Sequence, residues 1–132
     1  MSVAMRSQKM AQEAFARVKG RGAVTEEYRS FAREFPTLVH QCGLAQAVAF
    51  AQAKAPKSDA HRDYGDDLAA VLTKAGHADV ATAEALATCS RSLTVSGYIH
   101  LSHDALDAAN WIKRYVEALF DDETAPAEGD GS

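Results

Sequence analysis

Apolar side chains recur every three or four residues along most of the chain, which is the spacing of one face of an α-helix. This pattern predicts a first helix over Ser2–Val18, followed by a glycine-rich stop, and a short second helix over Thr25–Glu34 with Thr25 as its N-cap. A third helix is predicted to begin near Pro36 and to end at Lys54. Because its segment Leu44–Ala51 is apolar nearly all round, we expect this third helix at the centre of a bundle.

The second half of the chain repeats the helical pattern. Ser58 is the expected N-cap of a fourth helix that stops at Gly76, and a fifth helix is predicted over Asp79–Ser92. The segment Leu93–Leu101 is less regular, and we expect a turn followed by a single helical turn there. The last long helix is then predicted over Ser102–Phe120, with Ser102 as its N-cap.

Composition supports an all-α fold. Alanine, the best helix former, supplies 27 of the 132 residues, whereas valine and isoleucine together supply 11 and form no alternating segment. We therefore predict a compact single-domain helical bundle of about five to six helices over residues 1–120. Residues 121–132 contain five acids and almost no apolar side chain, so they are expected to be a disordered acidic tail.

Nothing in the sequence indicates secretion or a membrane. No apolar run reaches the roughly 20 residues that a spanning helix needs, and the N-terminus lacks the apolar stretch of a signal peptide. A cytoplasmic location is the resulting expectation.

Cys42 and Cys89 stand alone among helix formers, so we expect two buried thiols rather than a disulfide or a metal site.

The net charge of −4 is unevenly distributed. Residues 1–57 carry a net charge of +5, and residues 58–132 carry −9. A basic half of this kind is compatible with an RNA partner, because phosphates attract clustered cations. Lys113 and Arg114, beside Trp111 on the last helix, combine cations with an aromatic ring in a way that suits RNA. The candidate RNA-binding residues are Arg17, Lys19, Arg21, Lys54, Lys57, Lys113 and Arg114.

Histidine and aspartate residues suggest a competing, enzymatic interpretation. His100 and His103 are three residues apart, and His103 is followed by Asp104, the dipeptide with which all-α phosphohydrolases bridge metal ions. Such a site needs further ligands, for which His61 and Asp63 are candidates. The same residues also fit a helix cap with an acid in its first turn.

Other polar residues have simpler explanations. Asp66 and Asp67 are expected on a solvated helix face, and His40 is expected as a core histidine. No nucleotide-binding, hydrolase or zinc-protease motif is present. We therefore expect no catalytic residue, no metal ion and no cofactor.

Three segments, taken together in their order and spacing, resemble a known family. The first runs from Tyr28 through Phe35-Pro36 and the segment Gly43–Phe50 to Lys54. The second contains Tyr64, Leu68 and Leu72, and the third contains Tyr98, Leu101-Ser102 and the segment Trp111–Arg114. This chain thereby resembles the small α-helical subunit of type III-B CRISPR effector complexes, the Cmr complex.

The resemblance implies a non-catalytic role in antiviral defence. Members of that family stack on copies of themselves, opposite the backbone subunits that hold the guide RNA, and bridge to the large polymerase-like subunit. They help to form the groove in which target RNA pairs with the guide, so they need only contacts to the RNA backbone. Three alternatives stay open: the small subunit of type III-A complexes, a histidine/aspartate metal phosphohydrolase, and a helical adaptor without nucleic-acid contact.

Overall fold

The computed structural model describes residues 3–120, with side chains from residue 5 onward, and the predicted acidic tail lies outside this range. Six α-helices account for nearly all of the described residues, and no strand occurs among them. They are α1 (Val3–Gly20), α2 (Glu26–Cys42), α3 (Leu44–Lys54), α4 (Asp59–Lys74), α5 (Ala83–Ser92) and α6 (Val95–Phe120). Single 3₁₀ turns at Ala55–Lys57 and Ala78–Val80 precede α4 and α5. The predicted all-α class and number of helices are confirmed.

Hydroxyl side chains define the start of three helices. The side-chain oxygens of Thr25, Ser58 and Thr82 each accept a hydrogen bond from the backbone amide three residues further on, at 3.0, 3.3 and 3.1 Å. Each bond satisfies an amide that the first helical turn leaves without a partner. The caps predicted at Thr25 and Ser58 are therefore confirmed.

The predicted helix boundary at Pro36 is wrong. Pro36 lies inside α2 and is buried, so its packing offsets the hydrogen bond that its missing amide hydrogen removes. The chain breaks instead at Gly43, whose φ of 87° lies in the region that favours glycine. The predicted second and third helices are therefore divided seven residues later than the sequence suggests.

The predicted start of the last helix is also wrong. α6 begins at Val95, where the Thr94 hydroxyl accepts a hydrogen bond from the Gly97 amide at 3.2 Å, and Ser102 lies inside the helix. Val95 and Gly97 both disfavour helix in isolation, but here they lie in the first turn of a 26-residue helix. The start of the fifth helix also moves, from Asp79 to Ala83.

The centre of the core lies at α4 rather than at α3. The ring of Tyr64 on α4 is fully buried, and it contacts Phe31 and Phe35 of α2 at centroid distances of 5.1 and 5.2 Å. α3 buries only one face and leaves Phe50 exposed, so the expectation of a central third helix is wrong. A run of alanines permits burial but does not require it, because each side chain contributes little apolar area.

Two further expectations about buried residues fail. His40 and Cys42 lie exposed near the end of α2, and Cys89 is only partly buried. Cys42 and Cys89 lie three residues after the buried Val39 and Leu86, so helical spacing alone does not decide burial near the end of a helix. Among the helices formed by residues 3–120, none is both long and apolar enough to cross a membrane.

Candidate nucleic-acid interface

Two of the predicted RNA-binding cations are held by a buried carboxylate. Asp67 on α4 is fully buried and accepts a hydrogen bond from Arg17 Nε at 2.9 Å. Arg21 donates to both carboxylate oxygens, from Nε and Nη2, at 2.8 Å each. The Tyr28 hydroxyl donates to Oδ2 at 2.5 Å. Arg17 and Arg21 therefore join α1 to α4, and the expectation of a solvated Asp67 is wrong.

The electrostatics of this cluster keep the Arg21 guanidinium protonated and the Tyr28 phenol neutral. The hydrogen bonds and charge of Asp67 raise the pKa of Arg21 above its usual value. Burial, reinforced by Asp67, raises the pKa of Tyr28 above its usual value, so the phenol stays neutral. The sequence contains a signal for the buried acid, since Asp67 lies three residues after Tyr64 and four before Val71 on one helical stripe.

Two further predicted cations, Lys19 and Arg114, lie over partly exposed aromatic rings on α1 and α6. The Arg114 guanidinium lies 5.5 Å from the centre of the Trp111 ring, which stacks on Tyr115 at 5.8 Å. Tyr115 makes an edge contact with Phe15 at 5.3 Å, and Lys19 Nζ lies 5.5 Å from the centre of the Phe15 ring. We call these five residues the cation–aromatic ridge. It places two cations beside three partly exposed aromatic rings where α1 packs on α6.

The other predicted basic residues are distributed over different helices. Lys113 is half-buried on α6 beside the ridge. Lys54 lies over the ring of Phe50 at 5.4 Å, and Lys57 is exposed in the following 3₁₀ turn. Because α3 packs on α2, α4 and α5, Lys54 and Lys57 belong to a second basic cluster, separate from α1 and α6.

A surface cavity of about 290 Å³ adjoins the Arg114 end of the ridge. Arg6, Asn110, Trp111 and Arg114 contribute to its lining, together with the acids Asp104 and Asp107. Burial raises the pKa of Asp107 above its usual value, and the nearby charge of Asp104 adds to the effect. The mixture of charges makes this cavity less selective for anions than the ridge itself.

The histidines do not form the site that the phosphohydrolase alternative requires. His61 hydrogen-bonds Ser58 at 2.7 Å and lies 4.3 Å from the Phe31 ring centre, whereas Asp63 pairs with Arg21 at 3.4 Å. His103 is exposed on α6. The only group of three potential ligands among residues 3–120 is His77, His100 and Asp104, so the structure does not bring together the ligands that the phosphohydrolase alternative needs.

Similarity to known proteins extends over nearly all of the residues just described. Residues 6–119 match the family described as CRISPR-associated protein (Cas_Cmr5). The chain belongs to the Cmr5 family. The CRISPR system Cmr subunit Cmr5 of Thermus thermophilus is 38% identical over 119 residues, which cover 89% of this chain and 97% of that relative. The crystal structure of a CRISPR-associated Cmr5 family protein from the same species is 37% identical, with a TM-score of 0.75 over 87% of this chain and 97% of that one.

Membership of the Cmr5 family confirms the resemblance that the three sequence segments indicate. The matched range contains every residue of the cation–aromatic ridge and the Asp67 cluster. Sequence reasoning identified Lys19 and Arg114 as candidates and Trp111 as the aromatic neighbour of Arg114, but it did not include Phe15. The exposure of Phe15 follows from the way α1 packs on α6, which local sequence does not specify.

Proposed function

We propose that this chain is the non-catalytic small subunit of a type III-B Cmr complex, in which it contacts the backbone of the target RNA. In this role it stacks on copies of itself, contacts the backbone subunits and the large polymerase-like subunit, and acts in cytoplasmic antiviral defence. Support for the subunit role comes from the Cmr5 family match over residues 6–119. Support for RNA contact comes from the cation–aromatic ridge.

The ridge has the chemistry that sequence-independent RNA binding requires. Lys19 and Arg114 offer positive charge to phosphates, while Trp111, Tyr115 and Phe15 offer ring faces on which a base or ribose can pack. Base pairing with a guide supplies specificity in such complexes, so the protein has no need to read base edges. This surface is therefore the part of the structure on which the proposal rests.

A salt titration of RNA binding tests the ridge. Lys19→Ala/Arg114→Ala removes one lysine and one arginine from it, and Lys74→Ala/Arg91→Ala removes the same two residue types from exposed positions on α4 and α5. Each lost phosphate contact makes the negative slope of log K against log salt shallower by about 0.7 on single-stranded RNA. We expect the ridge variant to make the slope shallower by roughly 1.4 and the control variant to leave it unchanged.

Equal slopes for both variants would contradict RNA contact through the ridge and favour the helical adaptor. Lys54→Ala/Lys57→Ala, tested in the same titration, asks the same question of the second basic cluster. Lys113→Ala, in the same titration, shows whether the half-buried lysine contributes to RNA binding in addition to Arg114. Arg17 and Arg21 are poor probes because their loss also breaks the contacts with Asp67.

Subunit membership is tested separately. The chain, co-expressed with the other subunits of its own CRISPR system, is expected to co-purify with them as one assembly of defined mass. The purified chain alone is expected to cleave neither RNA nor phosphomonoesters in Mg²⁺, Mn²⁺ or Zn²⁺. Activity lost in His103→Ala would support the phosphohydrolase alternative instead.

A further inference from the structure

Two histidines and one aspartate from separate parts of the chain converge beside α6. His100 and Asp104 lie one turn apart on α6, and His77 lies in the segment between α4 and the 3₁₀ turn Ala78–Val80. Asp104 is only 5% exposed, which is unusual for a carboxylate without a structural or functional reason. Its Oδ2 lies 2.7 Å from His77 Nε2 and 3.6 Å from His100 Nε2.

We propose that His77, His100 and Asp104 form a binding site for a divalent transition-metal ion of the zinc class. Two imidazoles and one carboxylate are ligands that Zn²⁺ takes in proteins. With bonds of about 2.0–2.1 Å, tetrahedral coordination separates ligand atoms by about 3.3 Å. The pair formed by His100 and Asp104 already has nearly this spacing. His77 must withdraw by roughly 0.6 Å from its hydrogen bond with Asp104, a movement within the range of a loop side chain.

The carboxylate of Asp104 is oriented for this role. Arg6 Nη1 of α1 lies 3.6 Å from Oδ1, whereas both histidines face Oδ2. Arg6 thus binds one oxygen and leaves the other for the metal ion. Its positive charge opposes a second cation nearby, so Arg6 limits the affinity of the site.

The consequence of metal binding is a cross-link within the bundle. An ion held by all three residues joins the segment after α4 to α6, across 27 residues of chain. Because the His100 side chain is 55% exposed, the fourth coordination position lies toward solvent and is open to water. This role is independent of the proposed function of the ridge.

Zinc and cobalt titrations of the tag-free chain test the proposal. We expect one Zn²⁺ per chain by equilibrium dialysis and visible Co²⁺ absorption in the wild type. His100→Ala removes a ligand while leaving the bond between His77 and Asp104 in place, and we expect at least a tenfold loss of affinity. His103→Ala, at another exposed histidine three residues further along α6, is the control and is expected to bind as the wild type does. Arg6→Ala is expected to bind more tightly.

Three outcomes would overturn the proposal. Failure of the wild-type chain to bind Zn²⁺ or Co²⁺ shows that His77 and Asp104 form only a hydrogen-bonded contact. Equal losses of metal affinity in His100→Ala and His103→Ala indicate that the metal ion binds to these two exposed histidines of α6 instead. Unchanged affinity in His100→Ala excludes this ligand set. Helical circular dichroism, measured on each variant, verifies that the fold is retained.

Discussion

At the scale of single residues, the buried acid Asp67 connects three parts of the fold to α4. It is the shared acceptor for Arg17, Arg21 and Tyr28, which lie on α1, on the loop after α1, and on α2. A buried charge is tolerated only when it is paired and hydrogen-bonded, and this one accepts four hydrogen bonds from three side chains. The cluster therefore fixes where the first two helices lie on α4.

Asp67→Ala is expected to destabilise the chain by about 3 kcal/mol. The substitution leaves the buried Tyr28 hydroxyl without an acceptor and removes the counter-charge of two arginines, although both arginines keep access to water. Asp66→Ala, at the neighbouring acid, is the control, with an expected change of about 0.5 kcal/mol. Urea unfolding measures both variants. Equal free energies of unfolding for the two would show that the cluster has little energetic importance.

The buried tyrosines predict a loss of stability in alkali. Burial, with a smaller contribution from Asp67, raises the pKa of both Tyr28 and Tyr64 above the usual value of 10.0. Above pH 10, the unfolded chain loses these protons and the folded chain keeps them, so the free energy of unfolding falls as pH rises. Each tyrosine contributes a slope of about 1.4 kcal/mol per pH unit. Below pH 10 the contribution is fully present.

Tyr28→Phe tests this pH dependence because it removes one of the two titrating groups. The slope of unfolding free energy against pH above pH 10 is expected to fall by about half, as measured by urea unfolding at several pH values. Tyr115→Phe, at a half-exposed tyrosine of the ridge, is the matched control. A wild-type slope in Tyr28→Phe would mean that this phenol ionises in the folded chain.

At the scale of secondary-structure elements, the junction between α2 and α3 depends on Gly43. Its φ of 87° turns the chain between two helices, and a β-carbon placed there would lie 3.2 Å from the Tyr98 hydroxyl of α6. That hydroxyl accepts a hydrogen bond from the Ala45 amide at 3.0 Å, so it caps the first turn of α3 from a distant helix. One glycine thus allows three helices to meet.

Gly43→Ala is expected to cost about 2 kcal/mol of stability. The cost combines an unfavourable backbone conformation for alanine with a close contact to Tyr98. Gly20→Ala is the control, because a β-carbon at the end of α1 has no neighbour within 4 Å and alanine favours helix. Thermal unfolding of both variants measures the difference. A melting temperature for Gly43→Ala equal to that of Gly20→Ala would contradict the role assigned to the junction.

The helices also show which features sequence alone can predict. The caps at Thr25 and Ser58 and the stripe around Tyr64 depend on neighbours within one or two turns, so their patterns are visible in the sequence. The contact between His77 and Asp104 joins residues 27 positions apart and depends on how α4 and α6 pack. The same holds for the pairing of Arg21 with Asp67, 46 positions apart. Local periodicity contains no information about such partners.

At the scale of the whole molecule, the uneven charge of the sequence is partly neutralised by folding. Arg17 and Arg21 from the basic half pair with Asp67, and Arg6 pairs with Asp104, both acids of the other half. The packing of α1 on α4 and α6 brings the two halves together. The cations of the ridge, Lys19 and Arg114, contact ring faces instead, so their charge remains available to a phosphate.

Within an assembled Cmr complex, the cation–aromatic ridge is expected to act on RNA without regard to its sequence. Lys19→Ala/Arg114→Ala is expected to weaken binding of every target RNA by the same factor, because phosphate contacts contain no sequence information. Mismatches between guide and target act through base pairing and not through the ridge. The effects of a mismatch and of the ridge substitutions on the binding free energy are therefore expected to add to within about 0.5 kcal/mol. Affinities of matched and mismatched targets, measured with wild-type and variant complexes, form the required double-mutant cycle. Lys74→Ala/Arg91→Ala controls for the loss of charge alone. A ridge variant that weakens one target and spares another would show that these residues read sequence or shape instead.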